Sequence, residues 1–453
     1  MFLGLDLGTS SVKAVVVDRD GRIVAEGSAQ VDRFHTPDGG IEQDIDQIWE
    51  AILQAVGRAA AGSIADQIQA IGISSQGGAV QILDAAEQPV GRVISWLDAR
   101  GKPFDRRFRD EVGEEFLIEH IGSNISTMTI GQQLRLADQS PELLARPNRI
   151  GFVGDVIVGR LCGRRAHDAT SLSIGMLYNP TLGQADPDML RRLGIHADQL
   201  PALAPATTAA GGLLPEPAEA TGLRPGIPVS PAVHDQYAAS TGAGSVGPGD
   251  VCLGTGTAWV LVANADRLAA PVTQNTFVCP HLIDGLFGQL LSMTNGGSAV
   301  EWISGLVCSR PPSPAELDER LASVPPGSEG LSCRPLFTGG SAELEGIGLA
   351  HSANHLIRAV VEGLADELAR HLAMFDSAGM PVKRLVMCGL AASSRVTPQI
   401  VADATGRPVT CLAQSAVSAF GAATIARAMI DDTIPLARLA QDLAPATRTV
   451  EPN

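Results

Sequence analysis

The sequence predicts an α/β protein of two domains from three features: its 453-residue length, the interleaving of strand and helix patterns, and a glycine-threonine hairpin that occurs twice. A chain this long exceeds one ordinary core and suffices for two. With 45% hydrophobic and 18% charged residues, it has the composition of a compact globular protein.

The apolar runs 2–5 and 12–17 flank the small-residue turn Gly8-Thr9-Ser10-Ser11, and 22–25 follows a second turn, which together predict a β-meander. Ile48, Ile52 and Val56 share one face of a helix over 46–61, and Ile-Gly-Ile-Ser at 71–74 reads as a buried strand. The segment 251–262 repeats the opening pattern of strand, Gly-Thr turn and strand, and its Gly254 follows Gly8 by just over half the chain. The halves 1–243 and 244–453 are therefore expected to be duplicated domains, each bringing one hairpin to a shared cleft. A Pro/Ala/Gly-rich surface stretch lies between the hairpins, and the boundary is expected within 242–249. Ser352 is placed to cap a helix in which Leu356, Val360, Leu364, Leu368, Leu372 and Phe375 form one apolar stripe. A strand over 384–387 then enters the small-residue turn that begins Cys388-Gly389-Leu390-Ala391, where a following helix start would offer free N–H groups to a ligand.

The formal charge of −16 opposes binding to phosphate backbones and anionic membrane surfaces, so neither nucleic acid nor membrane is an expected partner. An anionic nucleotide is still compatible, because a few N–H groups and one Mg²⁺ reverse the potential within a single cleft. Seven scattered cysteines without a CxxC pair argue against a disulfide framework or zinc site. No apolar run approaches a membrane span, and Asp6 interrupts the start before a signal core could form. The reduced cytoplasm is the expected compartment.

A turn of Gly, Thr and Ser brings backbone N–H groups and hydroxyls close to phosphate oxygens because no bulky side chain intervenes. The same turn also serves as an ordinary hairpin. Asp6 in front of it could hold hydrated Mg²⁺ and Lys13 behind it could meet phosphate, although Lys13 also reads as an exposed strand lysine. Asp235 lies between a proline-rich strand and the second Gly-Thr turn, and a carboxylate there could accept the proton of an attacking alcohol or simply cap a helix. Sugar recognition needs planar and polar groups together. Trp96, Asp98 and Arg100 supply them within five residues, with Gln76 after a strand and Glu42, Gln43 and Asp44 before a helix. Each of these taken singly also reads as a cap, a surface pair or a core aromatic. His351 and His355 stand four apart, but without an HExxH pattern or a third ligand they read as helix-surface histidines.

The ordered set Asp6-Leu7-Gly8-Thr9-Ser10-Ser11, Trp-Leu-Asp-Ala-Arg at 96–100, His234-Asp235-Gln236, Gly-Thr-Gly-Thr-Ala at 254–258 and the stretch from 358–363 to Phe-Gly-Ala-Ala at 420–423 resembles the FGGY family of carbohydrate kinases. The resemblance spans nearly the whole chain. It implies two actin-like (ribonuclease H-like) domains, each a mixed β-sheet flanked by helices, with an interdomain active-site cleft that closes over ATP and a sugar. By position, Asp6 would be the metal-associated acid, Gly8, Thr9 and Ser10 the first phosphate loop with Lys13 behind it, and Gly254, Thr255, Gly256 and Thr257 the second. Asp235 would be the catalytic base and share the Mg²⁺ site. Gln76, Trp96 and Asp98 would build the sugar pocket with Arg100 and Gln236 beside it, and Gly297 and Gly389 would lie in nucleotide-facing turns.

Three departures stand out. The adenosine turn reads GLAASS where members commonly carry GGGAKS, which puts Leu390 and Ala391 at usual glycines and leaves the choice of nucleotide open. Gly77 and Gly78 stand where xylulokinase-like members carry Met-His and glycerol-kinase-like members Arg-Glu, which argues against glycerol and withdraws the analogy to xylulose. Ala416 or Val417 occupies a frequently acidic position. The resulting expectation is ATP- and Mg²⁺-dependent phosphorylation of a primary hydroxyl on a small carbohydrate, a ketose such as a pentulose being favoured over a sugar acid or polyol. A catalytically silent sugar or nucleotide sensor of the same fold and an actin- or chaperone-like ATPase are the other readings, and a homodimer is left open.

Overall fold

The computed structural model describes residues 1–124, 129–293, 295–334, 342–412, 414 and 416–453, Thr129 in its backbone alone. It is a two-domain α/β fold whose compact units interleave along the chain. One unit comprises Met1–Val246, Asp266–Gly288 and Ala416–Ala444, and the other Gly247–Ala265, Gln289–Ser415 and Pro445–Asn453. A contiguous cut between 243 and 244 therefore falls near the start of the second unit but does not describe Asp266–Gly288 and Ala416–Ala444, which pack with the first.

The reason Ala416–Ala444 returns lies in close backbone packing. The helix Val417–Ile430 lies directly on the strands Phe2–Leu7 and Ala70–Ser75. A Cβ at Gly4 would stand 1.9 Å from the Ala419 carbonyl oxygen, and one at Gly72 would stand 1.9 Å from that of Ala422. Only glycine permits that approach. Gly72→Ala is expected to cost about 1–3 kcal/mol by overpacking, measured as a lowered urea midpoint at unchanged m. The same packing accounts for the apolar residue at 416. Ala416 is buried in a cluster with Phe2, Val15, Val17 and Phe420, where a carboxylate would lose its hydration.

In the first unit the main sheet runs in the order Ala202–Leu203, Ala166–His167, Pro228–His234, Ala70–Ser75, Phe2–Leu7, Ser11–Val17, Ile23–Gln30. The last three are the expected antiparallel meander. Phe2–Leu7, Ala70–Ser75 and Pro228–His234 are mutually parallel, so their carboxyl ends emerge along one edge of the sheet. The expected first helix spans Ile45–Ala59, with Asp44 accepting from the amides of Asp46 and Gln47 at its start. A second sheet contains Ile41–Gln43, Pro89–Ile94, Val80–Leu83 and Arg149–Phe152.

In the second unit Asp250–Thr255 pairs antiparallel with Trp259–Ala265 and parallel with Arg384–Gly389, which in turn lies parallel to Val409–Leu412. The hairpin and the strand-turn expected from the sequence are thus neighbours. The long helix spans Ala353–Ser377 with Ser352 at the N-cap position, and it buries Val360, Leu364, Leu368, Leu372 and Phe375. His351 precedes this helix, and His355 in its first turn pairs with Glu329 at 3.2 Å. Among the described residues no helix is long and apolar enough to cross a membrane.

Candidate functional site

Parallel strands deliver several of the predicted residues of the first unit to one sheet edge, as ligand sites in α/β folds require. Asp6 is register partner to Lys13 across the hairpin and to Ser74 across the parallel pair. Ser74 Oγ donates to Asp6 Oδ1 at 3.0 Å. Asp235 follows directly on Pro228–His234, as the first residue of the helix Asp235–Gly242. Burial, then the charge of Asp235, pushes the Asp6 carboxyl up to about 6 against the pull of Lys13 and Ser74. Burial likewise raises Asp235 to about 6, opposed by hydrogen bonds from Gln236. Asp235 keeps 26% of its side chain exposed, so its carboxylate is reachable.

The first turn is closed by Gly8 N–H donating to the Ser11 carbonyl at 3.1 Å. The Thr9 and Ser10 amides donate to nothing among the described residues, and Ser10 is exposed. Two adjacent free N–H groups beside a carboxylate and a lysine suit a hydrated-metal phosphate group.

The expected sugar residues form two bonded groups. Trp96 Nε1 donates to Thr9 Oγ1 at 2.9 Å, Thr9 Oγ1 donates to Gln76 Oε1 at 3.0 Å, Gln76 Nε2 donates to Gln43 Oε1 at 3.0 Å, and Gln43 Nε2 returns to the Thr9 carbonyl at 3.0 Å. Gln76 is buried with its carbonyl and its amino group both engaged, whereas Trp96 is half-buried. Asp98 accepts from Arg100, from the Ile41 amide at 3.0 Å and from Gln132 Nε2 at 2.8 Å, while Arg100 also reaches Glu42 at 2.8 Å. Burial alone would raise Asp98, but the hydrogen bonds from Arg100 and the Ile41 amide, together with the Arg100 charge, outweigh it and hold its carboxyl below the usual range. Asp98 and Arg100 thus neutralise one another, and their direct consequence is to fix the segment that carries Trp96. Gln43, Gln132 and Ser74 join these networks through register and helix packing, for which the sequence offers only loose signals.

In the second unit Thr255 lies beside Gly389 across the parallel pair. Thr255 Oγ1 donates to the Cys388 carbonyl at 2.7 Å and accepts from the Ala391 amide at 3.1 Å, tying the two turns together. Gly389 has φ +92°, and a Cβ there would lie 3.0 Å from the Thr255 carbonyl oxygen. Gly297 opens the helix Gly297–Val307, but its N–H donates to the Gly256 carbonyl at 3.0 Å. This close backbone approach braces the Gly254–Thr257 turn, a Cβ at Gly297 falling 2.8 Å from the Gly256 carbonyl oxygen. The Gly256 and Thr257 amides are exposed and make no hydrogen bond among the described residues. Leu390 is 72% exposed, an unusual placement for a large apolar side chain.

Gly77 and Gly78 now have physical explanations. A Cβ at Gly77 would lie 2.4 Å from both His234 Cδ2 and Ile174 Cγ2. Gly78 has φ +74°, a conformation that L side chains rarely adopt.

Within the first unit, a reachable carboxylate beside a second acid and a turn with two free amides suit the chemistry of phosphoryl transfer. Residues 1–242 match the N-terminal domain of the FGGY family of carbohydrate kinases and 251–429 match its C-terminal domain. The glycerol kinase of Alkalilimnicola ehrlichii is 29% identical over 94% of this chain and 89% of its own length. The L-xylulose/3-keto-L-gulonate kinase of Escherichia coli is 27% identical over 100% and 93%. The crystal structure of xylulose kinase from Rhodospirillum rubrum superposes with a TM-score of 0.90 at 26% identity, covering 100% of this chain and 94% of the other. The chain belongs to the FGGY family of carbohydrate kinases. It is a phosphotransferase with a sugar or polyol as acceptor, and the family implies ATP as donor.

Proposed function

We propose that the chain transfers the γ-phosphoryl group of ATP to a primary hydroxyl of a small ketose, a pentulose before a sugar acid or polyol, with Asp235 as the general base. The observation that carries this reading is the Asp235 carboxylate, partly exposed at the carboxyl end of a parallel strand and raised to about 6. A base of that strength is ionised at neutral pH and accepts the hydroxyl proton as the new P–O bond develops. Trp96 offers an apolar face to the carbon skeleton, Gln236 lies beside the base, and Gln76, Asp98 and Arg100 act by holding Trp96 and Thr9 in place. Two of the similar kinases above carry xylulose in their names, which supports the ketose. With His234 and Ile174 filling the space at Gly77, the bulk of an arginine is excluded there, which supports setting glycerol aside.

Asp6 and Asp235 fit a divalent cation, because burial penalises both charges and Asp235 repels Asp6, and a cation relieves both effects. Bound there, Mg²⁺ would neutralise charge on the phosphate oxygens. The free amides of Thr9 and Ser10 would donate to phosphate oxygens as negative charge shifts during transfer, and the free amides of Gly256 and Thr257 are open to an anionic ligand on their own unit. Lys13 adds a cation behind the first turn.

A coupled ADP-release screen over pentuloses, hexuloses, aldonates and polyols, run with ATP and with GTP, tests the substrate and the effect of Leu390. The expected result is ketose-dependent turnover with ATP; turnover confined to glycerol would overturn the ketose assignment. Activity is also expected to fall at least about tenfold per unit below pH 6, as the Asp235 and Asp6 carboxyls take up protons. Both groups are raised above their unfolded values, so their contribution to stability is lost as pH rises through about 6 and regained as pH falls. The activity loss in acid should therefore precede unfolding. A flat rate from pH 7.5 to 5 would exclude a titrating carboxylate base.

A further inference from the structure

The chemistry above uses the carboxylate of His234-Asp235-Gln236 but not the imidazole next to it. His234 is 7% exposed, and its Nε2 stands 3.4 Å from Asp235 Oδ1. Its Nδ1 is buried without a hydrogen-bond partner among the described residues.

The ring has little freedom to be elsewhere. The point where a Gly77 Cβ would stand is 2.6 Å from His234 Nε2 and 2.4 Å from Ile174 Cγ2, so ring and isoleucine both close on the bare glycine. The buried Tyr237 ring holds another side, with centroids 6.1 Å apart and planes at 65°. The backbone is held as well. His234 N–H donates to Thr170 Oγ1 at 3.0 Å, and Thr170 Oγ1 donates to the buried Asp168 carboxylate at 2.7 Å. Asp168 N–H in turn donates to the Ala232 carbonyl at 3.0 Å, which ties this loop to the strand that ends in His234.

A neutral imidazole carries one N–H. Placed on Nδ1, that proton would be a buried donor without an acceptor, and the Nε2 lone pair would face a carboxylate oxygen. On Nε2, the proton sits on the nitrogen 3.4 Å from Oδ1. A separation of 3.4 Å is long for a hydrogen bond, yet such contacts commonly tighten once substrate is bound.

We infer that His234 is a positioning residue for Asp235: its Nε2–H orients the carboxylate through Oδ1 and leaves Oδ2 for the acceptor hydroxyl. The inference rests on the reading of Asp235 as the base. It implies that the bare glycine at 77 and the Asp168–Thr170 pair serve the base through the imidazole.

Three variants assayed together, His234→Gln, His234→Asn and Asp235→Asn, test it. The Gln amide nitrogen reaches roughly where Nε2 stands, whereas the Asn amide stops near Nδ1. His234→Asn is expected to lower kcat at least about tenfold while the sugar KM moves less than about threefold, and His234→Gln to recover most of the loss. Equal losses in the Gln and Asn variants, or a wild-type kcat in the Asn variant, would overturn the inference while an inactive Asp235→Asn left the base standing. Activity retained by Asp235→Asn would overturn both. Thermal midpoints measured alongside identify loss of fold, which on its own would lower the active fraction without separating Gln from Asn.

Discussion

Asp235→Asn is expected to leave the fold intact and to lower kcat by about 10²–10⁴, the range general-base catalysis contributes. Asparagine matches the carboxylate in size and removes its charge, so the helix that begins at Asp235 has no steric reason to move. Its effect on the neighbouring acid sharpens the test. The charge of Asp235 is the second cause, after burial, of the raised Asp6 carboxyl, so the substitution should also lower the Asp6 pKa from about 6. Single-turnover rates with the best sugar from the screen, together with circular dichroism, measure the first effect. Turnover near that of the wild type would remove Asp235 from catalysis.

The second large effect is expected at a glycine. Gly77→Met should lower kcat/KM about 10²-fold for every sugar tested, the scale of loss from an ångström-level misplacement of a reacting group. The cause is local, since the new Cβ would arrive 2.4 Å from His234 Cδ2 and the imidazole abuts the base. The substitution copies the residue of xylulokinase-like members, so a rule based on motif alone would forecast better use of xylulose. The packing forecasts the opposite. Steady-state kinetics on D- and L-xylulose separates them, and improved turnover on either would show that the ring can move aside without loss.

Several elements were legible because their signals are local. The hairpin around Gly8, the helix over Ile45–Ala59, the hairpin around Gly254 and the apolar stripe of the helix Ala353–Ser377 all rest on turn residues or periodicity within a few residues of one another. The acids Asp6 and Asp235 were legible for a related reason, since each sits where a strand gives way to a small-residue turn or a helix start. The hydrogen-bond partners of Gln76, Asp98, Arg100 and Gly297 were not. Their residue types suit a ligand, and only the hydrogen-bond partners reveal that Gln76 spends both its polar groups on Thr9 and Gln43 and that Gly297 N–H serves Gly256.

Sequence by itself determined the α/β class, the two glycine-threonine turns and an acid ahead of each, because strand alternation, turn chemistry and chain order are properties of neighbouring residues. Tertiary structure alone decided that 416–444 packs with the first unit, that an imidazole occupies the space a side chain at 77 would need, and which candidate polar groups remain free. Those outcomes depend on distances of a few ångströms between residues far apart in the chain, such as Gly72 and Ala422 or Gly77 and His234. Close packing lets one missing Cβ set them, and no local pattern records which backbone will fill the gap.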